Sequence, residues 1–429
     1  MAEHKMPRAF FQGVRPIGIC VTLLTLISHR DLLAFLLITV CSLGVMFNVY
    51  KPNAEPSWDG LVYHRVAQDY VRGGLSFKAI NGEFIGHNQH AINYLHRPLF
   101  FFLAGHLHSL SGISLLQIYP TMNLVALTVG AFYIYKICIA HYGLPAILSI
   151  ISACWMLVSP PVLILHQVIA TPEPLVLCFT ACSFYYFGLN RYWIAYLTLA
   201  LATLSKASAV TLAAYFLVQL LYTLKQTRRV EVVWDISILA VICAVVLAIP
   251  YVLINHAAAF DPSVVSGQIL DSNRGHVFMS MLFNFGVLWI PFAAYLPSAT
   301  SAYRIGLVYL ILTSCLLAII GATDWWRIWF SILFVFVLPG AASAIRLLSK
   351  EVQGIMVVSA VALSIIILQE PPELNFDRAY SPDKVMYMWA AAIVLLSAAA
   401  ARSESNDLPS SALSPLASER PPAPVRKQR

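Results

Sequence analysis

Long apolar stretches separated by short polar clusters set the pattern of this chain. The stretches fall at roughly 31–49, 98–111, 115–136, 144–158, 172–188, 192–205, 207–224, 234–254, 278–296, 303–321, 325–345, 352–369 and 384–401. A helix of about 20 apolar residues crosses the ~30 Å hydrocarbon core of a bilayer with its backbone polar groups satisfied internally. The pattern therefore predicts an all-α polytopic membrane protein of about 12–13 transmembrane helices. Residues 61–72 follow a different rhythm, with Val62, Val66, Tyr70 and Val71 spaced for one face of an amphipathic helix lying in the membrane interface. Ile17 to Ile27 is too short to span and also reads as interfacial. It follows the basic residues Lys5, Arg8 and Arg15, and no small-residue cleavage site precedes the first span.

Charge adds direction to these segments. Arg8, Arg15 and Arg30 predict a cytoplasmic N-terminus, and Lys225, Arg228 and Arg229 predict a second cytoplasmic point. Seven apolar stretches, from 31–49 to 207–224, lie between these points, yet the number of crossings must be even. One stretch is thus expected not to span, and 98–111 and 144–158, at about 14 or 15 residues each and short for a span, are the candidates. Either choice places Arg191, Arg304, Arg346 with Lys350, and Arg402 inside. Loops 51–97, 159–172, 255–277 and 370–383 then fall outside, as does the turn before Asp324.

The expected organisation is a cytoplasmic segment at 1–30, a membrane domain at 31–402 with first outer loop 51–97, and a Pro/Ser/Ala-rich disordered tail at 403–429.

Composition agrees with this class. Of 429 residues, 59% are hydrophobic and only 11% charged, against about 25% charged in an ordinary soluble protein. The formal net charge of +7 is dispersed in clusters at segment ends, a distribution for anchoring rather than for nucleic acid. Cysteines such as Cys178 and Cys182, one helical turn apart, sit inside apolar runs and read as small hydrophobes.

Ionisable groups that a bilayer should reject carry the functional information. They gather at the predicted outer face. Asp59 stands in Trp58-Asp59-Gly60 at the head of the amphipathic segment, followed by Tyr63 and His64. Capping that helix is an equal reading for Asp59 alone. His87, His90 and His96 follow in the same loop, and the spacing of the first two admits a divalent metal. Glu173 lies between Pro172 and Pro174 at the mouth of a span, where a helix N-terminus would also favour it. Lys206 sits alone at a helix junction, with snorkelling as its bland alternative. Asp324 and Arg327 flank the start of a later span and are spaced to pair with each other. Together these residues suit chemistry on a phosphate-bearing lipid. A carboxylate takes a proton from an attacking hydroxyl, and a cation stabilises charge on a departing phosphate.

In motif order, over residues 31–345, the chain resembles the GT-C superfamily of membrane-embedded glycosyltransferases. That group includes protein O-mannosyltransferases, the lipid A aminoarabinose transferase and bacterial polyprenol-phosphate-mannose-dependent enzymes. The matching elements are Asp59 with Tyr63 and Ala67, Arg97-Pro98-Leu99, Thr171 with Glu173 and Leu175, Leu204-Ser205-Lys206-Ala207, and Asp324 with Arg327. Two departures stand out. The first loop carries one acid followed by Gly60 where many members carry two, and the second acid is Glu rather than Asp.

The resemblance implies a GT-C-like bundle and inverting transfer, at the outer face, of a mannose-like sugar from a polyprenyl- or dolichyl-phosphate donor. The acceptor would be a glycan, lipid or protein. It implies Asp59 as general base, Glu173 orienting the acceptor or assisting Asp59, and Lys206, with Arg327, Asp324 and Arg97, at the lipid phosphate. Tyr63, His64 and His96 would face the acceptor. The motifs fix no cofactor, and a divalent metal at His87 and His90 is compatible with them. A bacterial plasma membrane with both termini cytoplasmic is the expected setting. A secondary transporter is the rival from another class, and a lipid-linked polysaccharide polymerase or ligase, with its key residues in the late loop Asn255 to His276, is the nearer one.

Overall fold

The computed structural model describes residues 28–49, 59–77, 97–167, 169–253, 284–285, 288–321 and 325–347. Stretches 352–369 and 384–401, the late loop and both terminal segments lie outside them.

The described residues are helical, without strands. In chain order the helices are α1 His29–Val49, α2 Asp59–Arg72, α3 Pro98–Ser111, α4 Leu115–Tyr142, α5 Ala146–Val158, α6 Pro160–Gln167, α7 Glu173–Gly188 and α8 Tyr192–Ser205. A 3₁₀ turn at Ala207–Val210 leads into α9 Thr211–Thr227, then α10 Val230–Leu253, α11 Trp289–Tyr295, α12 Ser301–Gly321 and α13 Trp325–Arg346. Segments His29–Val49, Leu115–Tyr142, Ala207–Thr227 and Val230–Pro250 are each long and apolar enough to cross a membrane, and shorter apolar helices accompany them.

Helix α13 is the hub. Every residue from Phe330 to Ala342 is buried, so this helix is apolar all round and enclosed by neighbours. It packs against α4, α5, α7 and α11. By contrast α1, α10 and α12 expose Leu33, Val40, Phe47, Val241, Val252 and Leu312. Contiguous exposed apolar faces of this kind call for a membrane or a partner rather than water.

Side-chain contacts fix which helix ends lie together. At one end of the bundle Asp31 accepts hydrogen bonds from the Lys136 ammonium at 2.9 Å and the Tyr135 hydroxyl at 3.2 Å. At that end too, His141 donates to the Tyr185 carbonyl, the Tyr142 and Tyr303 hydroxyls meet at 3.0 Å, and Arg346 donates to the Gly143 carbonyl. Arg191, Arg228 and Arg229 lie in the links α7–α8 and α9–α10, and Arg304 in the first turn of α12, so the basic clusters gather there.

The opposite end is built on a second buried cluster of Tyr63, Phe100, Phe101, Tyr119, Ile169 and Ala170. Here α2 and α3 run side by side. Tyr63 meets the rings of Phe100 and Phe101, and Tyr70 meets Gly105 and His106 farther along. Gly105 is required for this approach, since a Cβ there would stand 2.6 Å from the Tyr70 ring.

Helix α3 begins beside Tyr63, and α4 starts in the same cluster, with only residues 112–114 between them. Residues 98–111 are therefore the stretch that starts and ends at one end of the bundle. The other candidate, 144–158, does traverse. Its helix α5 leaves the Tyr142 end and α6 then places Leu163 against Val45 and Val49 at the far end of α1.

Two differences from the sequence reading have local causes. Loop 159–172 contains helix α6, because Pro160 and Pro161 break α5 at Ser159 yet suit a helix start. Stretch 278–296 holds the seven-residue α11 in its described part, followed by a 3₁₀ turn at Leu296–Ser298.

Candidate functional site

At the end of the bundle away from Asp31, two interrupted helices bring opposite charges together. Glu173 is the first residue of α7, entered through Ile169, Ala170, Thr171 and Pro172. Lys206 follows the last residue of α8 in extended backbone (φ −159°, ψ 123°), before the 3₁₀ turn. The Lys206 ammonium donates to Glu173 Oε1 at 2.8 Å. Both residues are buried, at 2% and 5% exposure. Lys206 is thus held inside the bundle rather than snorkelling.

Each charge also sits at the favourable pole of its helix, the carboxylate at the N-terminus of α7 and the ammonium at the C-terminus of α8. Val176, Ala202 and Ala209 pack between these elements, and the small alanines allow the close approach.

The segment that delivers Glu173 is fixed from α4. The Asn123 amide donates to the carbonyls of Leu165 at 3.3 Å and Ile169 at 3.2 Å, so one buried side chain satisfies a carbonyl in α6 and one beyond it. Ile169 and Ala170 then pack in the cluster that docks α2. Asp59 is the first residue of α2, one turn before the buried Tyr63.

Arg97, immediately before α3, places its guanidinium 5.1 Å from the Tyr63 ring centre, within cation–π range. His64 approaches the Tyr119 hydroxyl through Nδ1 at 3.3 Å, and the Gln68 amide nitrogen lies 2.9 Å from its Nε2. The Gln68 amide nitrogen can only donate, so Nε2 accepts and the imidazole is the neutral Nδ1–H tautomer; burial pushes its pKa below the usual histidine value, in the same direction.

The structure thus joins Tyr63, His64 and Arg97 on the α2–α3 platform, and Glu173 with Lys206 beside it. Arg327 occupies the first turn of α13, while Asp324, His87, His90 and His96 lie outside the described residues. Among the described residues no group of three or more His, Cys, Asp or Glu side chains could hold a metal ion. Cys178 and Cys182 are free and buried against Ala126, as small apolar side chains.

Neither a protein-family model nor a curated protein matches the sequence. The functional reading therefore stands on the site itself.

Three polar residues here were not apparent from sequence. Asn123 hides in an apolar helix, His166 directly after the apolar run Val162–Leu165, and Ser208 beside the more conspicuous Lys206. The readable signal was a polar residue inside an otherwise apolar stretch. Chemically, the arrangement offers a buried ion pair, a second cation at Arg97 and an acid at the head of α2.

Proposed function

We propose that the chain is an integral-membrane glycosyltransferase of the GT-C type. It transfers a sugar, mannose-like in the first instance, from a polyprenyl-phosphate donor to a hydroxyl acceptor at the outer face of a membrane, with inversion. The observation that supports this reading best is the buried Glu173–Lys206 pair beside the docked platform that carries Asp59, Tyr63 and Arg97.

In the proposed reaction Asp59 takes the acceptor hydroxyl proton. The acceptor oxygen forms a bond to the anomeric carbon while the bond from that carbon to the phosphate oxygen breaks. Polyprenyl phosphate leaves with the bonding electron pair. Lys206 and Arg97, with Arg327, supply positive charge for the phosphate, and Glu173 fixes the Lys206 ammonium before the donor arrives. The neutral His64 and the Tyr63 platform border the acceptor side.

Sugar transfer from radiolabelled polyprenyl-phosphate sugars in proteoliposomes tests the proposal. The wild type should transfer at least one sugar, and Asp59→Asn should lose about 10²-fold or more, as expected for a general base. Absence of transfer from every donor by folded protein would overturn the enzyme reading.

A second reading draws on the same pair. Charged residues at interrupted helices also suit an ion-coupled transporter. Solute uptake that needs Glu173 and Lys206, without any sugar transfer, would favour it.

A further inference from the structure

Two neutral polar side chains, one in the segment that leads to Glu173 and one just after Lys206, are buried without a hydrogen-bond partner among the described residues. His166, on α6, is 3% exposed, and its Nε2 is buried without a hydrogen-bond partner among the described residues. Ser208, two residues after Lys206, is 8% exposed, and its hydroxyl is likewise buried and unpartnered among them. An unpaired buried polar atom costs roughly 1–3 kcal/mol, so two of them, on the segments that carry the two charges, point to a ligand that completes them.

Helix α6 and the 3₁₀ turn bearing Ser208 both pack against α13. Leu165 and Ile169, on either side of His166, are tied to Asn123, and the chain reaches Glu173 four residues after Ile169. Burial pushes the His166 pKa down to about 4, so its imidazole is neutral at physiological pH.

The ligand class follows from the chemistry. A phosphate seeks cations and N–H donors, which Lys206 and Arg97 already provide. A neutral imidazole and a serine hydroxyl each donate and accept, which matches sugar hydroxyls that do both.

We propose that His166 and Ser208 form the subsite for the sugar hydroxyls of the lipid-phosphate donor. This deepens the glycosyltransferase reading and rests on it. The lipid phosphate would bind at the cations, and the neutral pair would distinguish a sugar-bearing carrier from the bare one.

The test is equilibrium binding, which needs no turnover. Undecaprenyl phosphate and its mannosyl, glucosyl and arabinosyl derivatives are titrated into the full-length protein in nanodiscs. The wild type should bind at least one sugar-bearing lipid about 10-fold more tightly than the bare carrier, the order expected when buried polar groups gain partners. His166→Ala and Ser208→Ala should each lose most of that preference while keeping their affinity for the bare carrier. His166→Gln, which retains an N–H donor, should recover part of it. Ser208→Ala removes a single oxygen, so it decides the matter if His166→Ala fails to fold.

A sugar preference that survives in Ser208→Ala and in every folded His166 variant would overturn the subsite and leave the donor reading intact. So would equal losses for bare and sugar-bearing lipid. A wild type that binds the bare carrier but shows no sugar preference would do the same. Failure of the folded wild type to bind any of the lipids would overturn both readings.

Discussion

Lys206 donates to Glu173 across 2.8 Å, joining the end of one helix to the start of another in the interior of the bundle. Removing one partner of a buried pair strands the other charge, at a cost of roughly 3–5 kcal/mol. Glu173→Gln and Lys206→Met should each lower the thermal stability of the purified protein substantially. The double variant should be more stable than the sum of the single losses implies, because it strands neither charge. Strict additivity in the cycle would show that the two residues act independently.

Asn123 satisfies two carbonyls that bracket His166. Asn123→Leu has similar volume and cannot donate. The loss of stability should be roughly 1–3 kcal/mol, the cost of leaving buried backbone acceptors unmet. Activity should fall more than stability, because the same segment delivers Glu173. Unfolding midpoints and sugar transfer measured on one preparation check both effects.

Gly130 on α4 faces α7, where an added Cβ would lie 3.3 Å from the Cys178 Cα. That neighbour is backbone and yields only if the helices separate. Gly130→Ala should therefore be mildly destabilising, and Gly130→Leu should cost on the order of 1–3 kcal/mol or more through overpacking. The thermal midpoint in detergent should order wild type, Ala, then Leu. A Leu variant as stable as wild type would contradict this close packing.

His166 supplies a pH dependence. Its folded-state pKa of about 4 lies below the roughly 6.5 of a free histidine. The unfolded chain then binds the proton more readily, so stability is complete above about pH 6.5 and declines as the pH falls towards 4. The difference of roughly 2.5 units at 1.36 kcal/mol each sets the loss at roughly 3 kcal/mol. Thermal unfolding between pH 7.5 and 4.5 should show a decline that is shallower in His166→Gln. Identical slopes would remove His166 as the cause.

Several candidate site residues were legible in the sequence because a charge at the mouth of an apolar stretch is conspicuous without structural knowledge. Asp59, Glu173 and Lys206 stood out in this way, and the structure brings Glu173 and Lys206 into contact. His166 and Asn123 did not. A single neutral polar residue in an apolar run looks the same whether it faces a carbonyl, a ligand or nothing, and only its surroundings distinguish these cases. Helix α6 was not anticipated because its eight residues fall within 159–172, a short stretch between two apolar segments that reads as an outer loop.

The sequence by itself determined the helical class and where most apolar helices begin and end. It also identified the basic clusters that share one end of the bundle. These properties depend on local hydrophobicity and charge, which each segment carries alone. Only the tertiary structure decided that 98–111 lies along α2 while 144–158 traverses, that Glu173 pairs with Lys206, and that Asn123 secures the segment leading into Glu173. Two stretches of nearly equal length differ in what they pack against, and a polar group acquires its role from the partner brought to it. Both depend on contacts between residues far apart in the chain.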